Sequence, residues 1–320
     1  TVEDVLELCR DDASPASEIG IELHPRDCSR ATLERLLRMG VTKVSLGIES
    51  LDDRILARLE RRYTTRQAES ALSTALETGF ECVDVNLIYG IPGQTRARIV
   101  EDVSRCVELG ATQISAYPLI AFRHTPLGES AYRDHSQTFG LRDRLVTQQA
   151  ITEALHAAGF DRKSVWSFTQ PGVNPFTTVT RESYRGFGAS AGSKVGGIFW
   201  FNPFSVEAYC RQSSFRPALV MRASERLRRF HWLYWSAYRT VIEPTAYRRL
   251  FDRDLAKDFR LAIVLAWLLG FLRREADVWR LSDRGADWSH QLQSLYSLSF
   301  IDQLWTRCRE TPWPNRVTLR

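Results

Sequence analysis

The 320-residue chain lacks a long apolar run. Its longest, Leu261 to Leu272, holds twelve residues between Arg260 and Arg273. That is short of the roughly 20 a membrane span needs, so a buried helix of a C-terminal domain is predicted and no membrane span. Cysteine is scattered: Cys9, Cys28, Cys82, Cys106, Cys210 and Cys308 include no pair at zinc or cluster spacing. They read as reduced structural thiols of a cytoplasmic protein. The six histidines, His24, His124, His135, His156, His231 and His290, make no HExxH or other ligand spacing, and none is assigned to a metal. A GxxxxGK phosphate loop and a GxSxG elbow are both missing, so nothing points to kinase or hydrolase chemistry. No signal peptide is visible. The chain starts at Thr1 inside a helical pattern, Val2 to Cys9, and the natural N-terminus is expected to lie upstream.

Positive charge is in slight excess and comes mostly from arginine. Forty-three basic residues face 38 acidic ones for a net charge of +5, with a pI near 9.0. The clusters Arg58, Arg61, Arg62 and Arg226, Arg228, Arg229 lie on helical patterns and read as solvated faces, so no nucleic-acid partner is expected.

What the chain does have is a repeated cadence. Helical patterns close at Gly40, Gly79, Gly110 and Gly159, and each is followed by a short β-branched run: Val41 to Ile48, Cys82 to Ile88, Ala111 to Tyr117 and Lys163 to Phe168. Glycine just past a helix end supplies the left-handed cap, and strands separated by helices imply parallel pairing through crossovers. With Glu18 to Leu23 as an earlier strand and Ser29 to Met39 as its helix, five strands form one parallel series. The expected fold is α/β, a partial β/α barrel over residues 1–204 followed by a mainly helical domain over 205–320. A loop from Thr169 to Arg181 and a glycine-rich run from Ser183 to Gly197 close the barrel part, and Pro217 marks the link. The aromatic stripe of His231, Trp232, Tyr234, Trp235 and Tyr238 reads as core, with a substrate-covering lid as its functional alternative.

Polar residues fall at the C-terminal ends of these strands, where a β/α barrel keeps its active site. Glu22 ends the first strand and suits a ligand or a rim salt bridge. Glu49 and Ser50 end the second, suited to a ligand or to capping the helix from Asp52. Arg61 is solvated or offers a fork for a carboxylate. Asn86 interrupts an apolar strand and needs partners. The turn Tyr89 to Gly93 exposes backbone groups or is an ordinary loop.

The stretch from Gly40 to Thr95, with ELHP at Glu22 to Pro25, ISAYPLIAFRHTPLG, and YRGFGASAGSKVGG, resembles the radical SAM family of oxygen-independent coproporphyrinogen III oxidases and heme chaperones. The resemblance implies a TIM-like partial barrel, S-adenosylmethionine (SAM) and a [4Fe-4S] cluster. It implies that Glu22 contacts the SAM amino group or ribose, that Glu49 and Asn86 bind its polar edges and that Arg61 holds its carboxylate, with Gly192 near the adenosine end. It further implies a small-molecule substrate, a porphyrinogen or another aromatic or polyketide-like compound. The reaction would be oxidative decarboxylation or SAM-dependent methyl or methylene transfer, with flavodoxin or ferredoxin as electron donor. Departures are informative. Glu49 replaces the usual Gln, Asn86 replaces the usual Asp, Ala191, Gly192, Ser193 replace Ala-His-Ser, and VWSFTQPG stands around Trp166. The Cys-x-x-x-Cys-x-x-Cys loop is absent, so the cluster ligands are expected in a preceding segment. The alternatives are a heme-holding protein without turnover and a degenerate barrel.

Overall fold

The computed structural model describes residues 4–5, 7, 18–122, 125, 140–177 and 183–315, without the side chains of 294–300. Most of the helix expected over Val2 to Cys9 and the end of the loop to Arg181 lie outside these residues. The chain forms two units, Thr1–Leu119 with His135–Thr177, and Ile120–Asp134 with Thr178–Arg320.

In the first unit, strands β1 (Gly20–Leu23), β2 (Lys43–Glu49), β3 (Cys82–Tyr89) and β4 (Gln113–Pro118) pair in parallel in that order. Helices α1 (Arg30–Arg38), α2 (Asp53–Arg58), α3 (Thr65–Thr78) and α4 (Arg96–Glu108) fill the crossovers. Local chemistry starts and stops them. Ser29, Thr64 and Thr95 accept hydrogen bonds from the first-turn amides, and Thr64 forms a capping box with Gln67. The joint glycines Gly40, Gly79, Gly110 and Gly159 all have φ between 81° and 96°, a region that costs a side chain dearly.

Alternation along the strands separates two faces. Val44, Leu46, Ile48, Val83, Val85, Leu87 and Ile114 pack with Leu33, Leu72, Ile99 and Val103 in the core. The opposite face carries Ser45, Asp84, Asn86, Gln113 and Ser115, so the inner face of the partial barrel is polar. Helix α5 (Leu141–Ala157) follows, and then the topology departs from expectation. The segment expected as a fifth parallel strand is a hairpin of β5 (Asp161–Arg162) and β6 (Ser167–Thr169), and β6 pairs antiparallel with β4. The reversal is made by Ser164, whose Oγ accepts from the amides of Trp166 (3.3 Å) and Ser167 (3.0 Å).

The second unit begins earlier than position 204, because β7 (Gly192–Val195) and β8 (Ile198–Phe201) pair with β9 (Leu219–Arg222) in one antiparallel sheet. Pro217 therefore lies inside this unit and is no interdomain link. Between them is α6 (Val206–Arg211). Strands β10 (Val241–Ile242), β12 (Val278–Leu281) and β11 (Leu272–Glu275) form a second antiparallel sheet. It packs with α7 (Glu225–Tyr238), α8 (Pro244–Phe251), α9 (Leu255–Asp258), α10 (Arg260–Leu268) and α11 (Asp283–Glu310). Trp232, Tyr247, Phe259 and Ile263 form its core. The expectation of a buried helix over Leu261 to Leu272 fails. Ile263 of α10 is 6 % exposed, whereas Leu261 is 73 %, Trp267 54 % and Leu268 67 % exposed. A composition that is apolar on every face cannot reveal that only one face meets the core.

Candidate active site at the strand ends

The C-terminal ends of β1, β2 and β3 bring Glu22, Glu49 and Asn86 together, and the connection after α2 adds Arg61. Strand β2 ends in a bulge: Gly47 registers with Asn86 and Glu49 with Leu87, so Ile48 is the extra residue. Glu49 sits at φ 65°, a left-handed conformation that costs a non-glycine residue on the order of 1 kcal/mol and recurs at functional sites. Tyr63 holds the bulge, its one hydroxyl proton lying between the carbonyls of Gly47 and Ile48, each at 2.9 Å. The His24 ring meets Tyr63 edge-on at 4.9 Å.

The bulge aims Glu49 at Arg61, whose Nη2 donates to Glu49 Oε1 at 2.6 Å. Burial pushes the Glu49 carboxyl above its ordinary value, Arg61 pulls it down and Glu22 pushes it up again. Asn86 Nδ2 lies 3.4 Å from Glu22 Oε1. Two buried polar atoms at this place have no hydrogen-bond partner in the structure, Arg61 Nε and Asn86 Oδ1. A buried donor or acceptor without a partner costs about 1–3 kcal/mol.

This donor and acceptor set has a definite complement. Arg61 Nε asks for an anionic oxygen and Asn86 Oδ1 for an N–H, and two carboxylates stand next to them. An α-amino acid group carries both partners.

Beneath this cluster lies a network that sequence reasoning missed. Asp84 is fully buried, and its two oxygens accept from Ser45 Oγ at 2.7 Å and Ser115 Oγ at 2.9 Å. Ser115 and Ser167 hydroxyls are 2.9 Å apart. Burial raises the Asp84 carboxyl to about 6, against the three side chains that bond it. The signal was an acid two residues before Asn86, on the same face of an apolar strand. Tyr63 was also missed, and nothing in its local sequence marks it.

Other candidates are structural. Ser50 Oγ donates to the buried Asp102 at 2.7 Å. The Tyr89 to Gly93 turn is tied internally, with Gln94 Oε1 accepting from Gly90 N at 2.9 Å and Gln94 Nε2 donating to the Ile88 carbonyl at 3.0 Å. In the glycine-rich run, a Cβ at Gly186 would lie 2.3 Å from the Gly192 carbonyl, so the close approach there is between two parts of the chain. Gly192 itself lies in β7 of the second unit, opposite Phe201, and is not among the residues the first unit gathers.

Residues 1–106 match the model of the Radical SAM superfamily. These residues are similar to a radical SAM domain. Over 200 residues it is 26 % identical to the heme chaperone HemW of Bacillus subtilis, covering 62 % of this chain and 53 % of that protein. Anaerobilin synthase of Escherichia coli O157:H7 is 24 % identical over 309 residues, 93 % of this chain and 68 % of that one. The chain thus spans about half the length of its heme chaperone relatives. The structure of coproporphyrinogen III oxidase HemN from Escherichia coli, described as a radical SAM enzyme, has the same fold, with a TM-score of 0.73 and 18 % identity over 92 % of this chain and 73 % of that one.

The radical SAM match implies SAM and a [4Fe-4S] cluster. The strand-end residues of the domain fit the amino acid part of SAM through the two unpartnered atoms. The described residues do not fit the cluster. Among them no group of three or more His, Cys, Asp or Glu could hold a metal, and burial pushes the thiols of Cys28 up to about 12 and of Cys82 and Cys308 up to about 11, far from the thiolate a metal binds. Among the described residues no helix is long and apolar enough to cross a membrane.

Proposed function

We propose that the strand-end cluster of the first unit binds SAM, and that the complete protein is a radical SAM enzyme acting on a porphyrin- or heme-related substrate. The observation that carries the reading is the pair of unpartnered buried atoms, Arg61 Nε and Asn86 Oδ1, beside Glu22 and Glu49. Arg61 holds the SAM carboxylate, Asn86 and Glu22 take its ammonium, and Glu49 keeps Arg61 in register. A bound ammonium also favours the ionised form of Glu49, which burial disfavours. A [4Fe-4S] cluster, for which the described residues offer no ligands, would supply the electron for radical chemistry on the bound SAM.

The substrate class rests on the names of the relatives: heme chaperones, anaerobilin synthase and oxygen-independent coproporphyrinogen III oxidases. Reduction requires a one-electron donor, for which flavodoxin or ferredoxin is the proposed partner. The methyl-transfer alternative has no observation of its own. Anaerobic incubation of the complete gene product with SAM, reductant and a porphyrinogen tests the reading. Release of 5′-deoxyadenosine that depends on Arg61 is expected. A heme Soret band on titration with heme, without SAM cleavage, would transfer the domain to a heme-holding role.

A further inference from the structure

Helix α10 carries its large apolar residues on the outside. Of its nine residues only Ile263 is buried in the core of the second unit. Leu261, Val264, Leu265, Trp267 and Leu268 are exposed, and so is Leu269 just after its end. At 3.6 residues per turn, Leu261, Val264, Leu265 and Leu268 make one continuous stripe on the side away from Ile263. Trp267 flanks this stripe on one side and Leu269 on the other. The exposed arc therefore covers about 220° of the helix, against about 100° for a face that packs on a core. The one polar side chain on it is Arg260, at the helix start. Apolar surface gathered to this extent on one element marks an interaction site.

Charge around the helix has one sign in excess. The acids Asp254, Asp258 and Glu275 are paired, with Arg248, with Arg229 and Arg253, and with Arg280. Lys257 and Arg260 before the apolar stretch and Arg273 after it are exposed and, among the described residues, make no ion pair. Arg274 adds a cation that lies 5.2 Å over the Trp279 ring. Asp252 and Asp277 are the exposed acids left unpaired beside them, so positive charge prevails at both ends of the stripe.

We propose that α10 docks the protein on the surface of an anionic lipid bilayer. Its apolar arc enters the boundary between headgroups and acyl chains, and Lys257, Arg260 and Arg273 meet the lipid phosphates. The width of the arc favours lipid over a second copy of the chain. A protein face covers a stripe and leaves its flanks in water, whereas a fluid layer closes around them. Trp267, at the edge of the arc, suits the headgroup level, where an indole keeps its N–H wet and its ring in apolar surroundings. Nine residues of helix extend about 14 Å, well short of a span, so contact is with one leaflet. The surface is independent of the SAM site.

Sedimentation of the complete gene product with vesicles of phosphatidylglycerol and, separately, of phosphatidylcholine tests this. Binding to the anionic vesicles is expected to be at least tenfold tighter than to the zwitterionic ones and to weaken as salt is added. The double variant Leu261→Ser with Leu268→Ser should lower it at least tenfold, and Lys257→Gln with Arg273→Gln at least fivefold, both with the circular dichroism of the parent. Binding to neither vesicle overturns the proposal. Equal binding to both does so too, as does full binding by the folded leucine variant. Self-association of the parent that the leucine variant abolishes, without vesicle binding, would instead make the face a contact between copies and overturn the lipid assignment. Should the leucine variant not fold, the charge variant and the comparison of the two vesicles decide.

Discussion

Asp84 is a carboxylic acid whose protonation the first unit controls through burial. Its carboxyl titrates at about 6 in the folded protein, against about 3.9 in an unfolded chain. The folded state binds this proton more tightly, so its contribution to stability is fully present below about pH 4 and is lost as pH rises through 6. Asp84→Asn should remove that slope and raise stability at pH 8 by about 1–3 kcal/mol; urea titrations of both proteins at pH 5 and pH 8 would show it, and an unchanged difference between the two pH values would sink the assignment. Glu22, Glu49 and Asn86 stood out in the sequence because a polar residue at the end of an apolar strand needs a reason, and Arg61 because its fork suits a carboxylate. Asp84 did not, since strand alternation shows which face it occupies but not that the inner face is lined by hydroxyls able to hold an acid.

At the scale of elements, the bulge that ends β2 positions the site. It is fixed from a distance by Tyr63, whose one hydroxyl proton lies between two of its carbonyls. Loss of that hydroxyl in Tyr63→Phe should cost about 1–2 kcal/mol and loosen Glu49. Weaker SAM binding alongside a small drop in thermal midpoint is expected; unaltered SAM affinity would mean that the bulge does not position Glu49. Helix α10 gives the opposite case. Ile263→Ala should cost about 2–4 kcal/mol because Ile263 is in the core. Leu268→Ser should change stability by under about 1 kcal/mol because Leu268 is exposed, and equal losses in the two variants would show that this face is covered. The helix-glycine-strand joints were readable because each needs a positive φ that glycine gives freely. The reversal of β6 was not, because hydrophobic periodicity carries no strand direction, and the turn at Ser164 sets it through side-chain hydrogen bonds.

For the whole molecule, the division into two units follows strand pairing, which composition does not report. The shift from barrel-like to aromatic-rich sequence near Val206 is real, yet β7 and β8 precede it and belong by pairing to the second unit. Family resemblance carried the SAM assignment, and the geometry adds a physical reason for it: buried atoms of Arg61 and Asn86 that the protein itself leaves unpartnered. The most direct test is equilibrium binding of SAM by calorimetry to the complete gene product and to its Arg61→Ala and Asn86→Leu variants. The account predicts binding by the parent and at least tenfold weaker affinity in each variant, with thermal midpoints held within a few degrees. Parent-like affinity in both variants would contradict it.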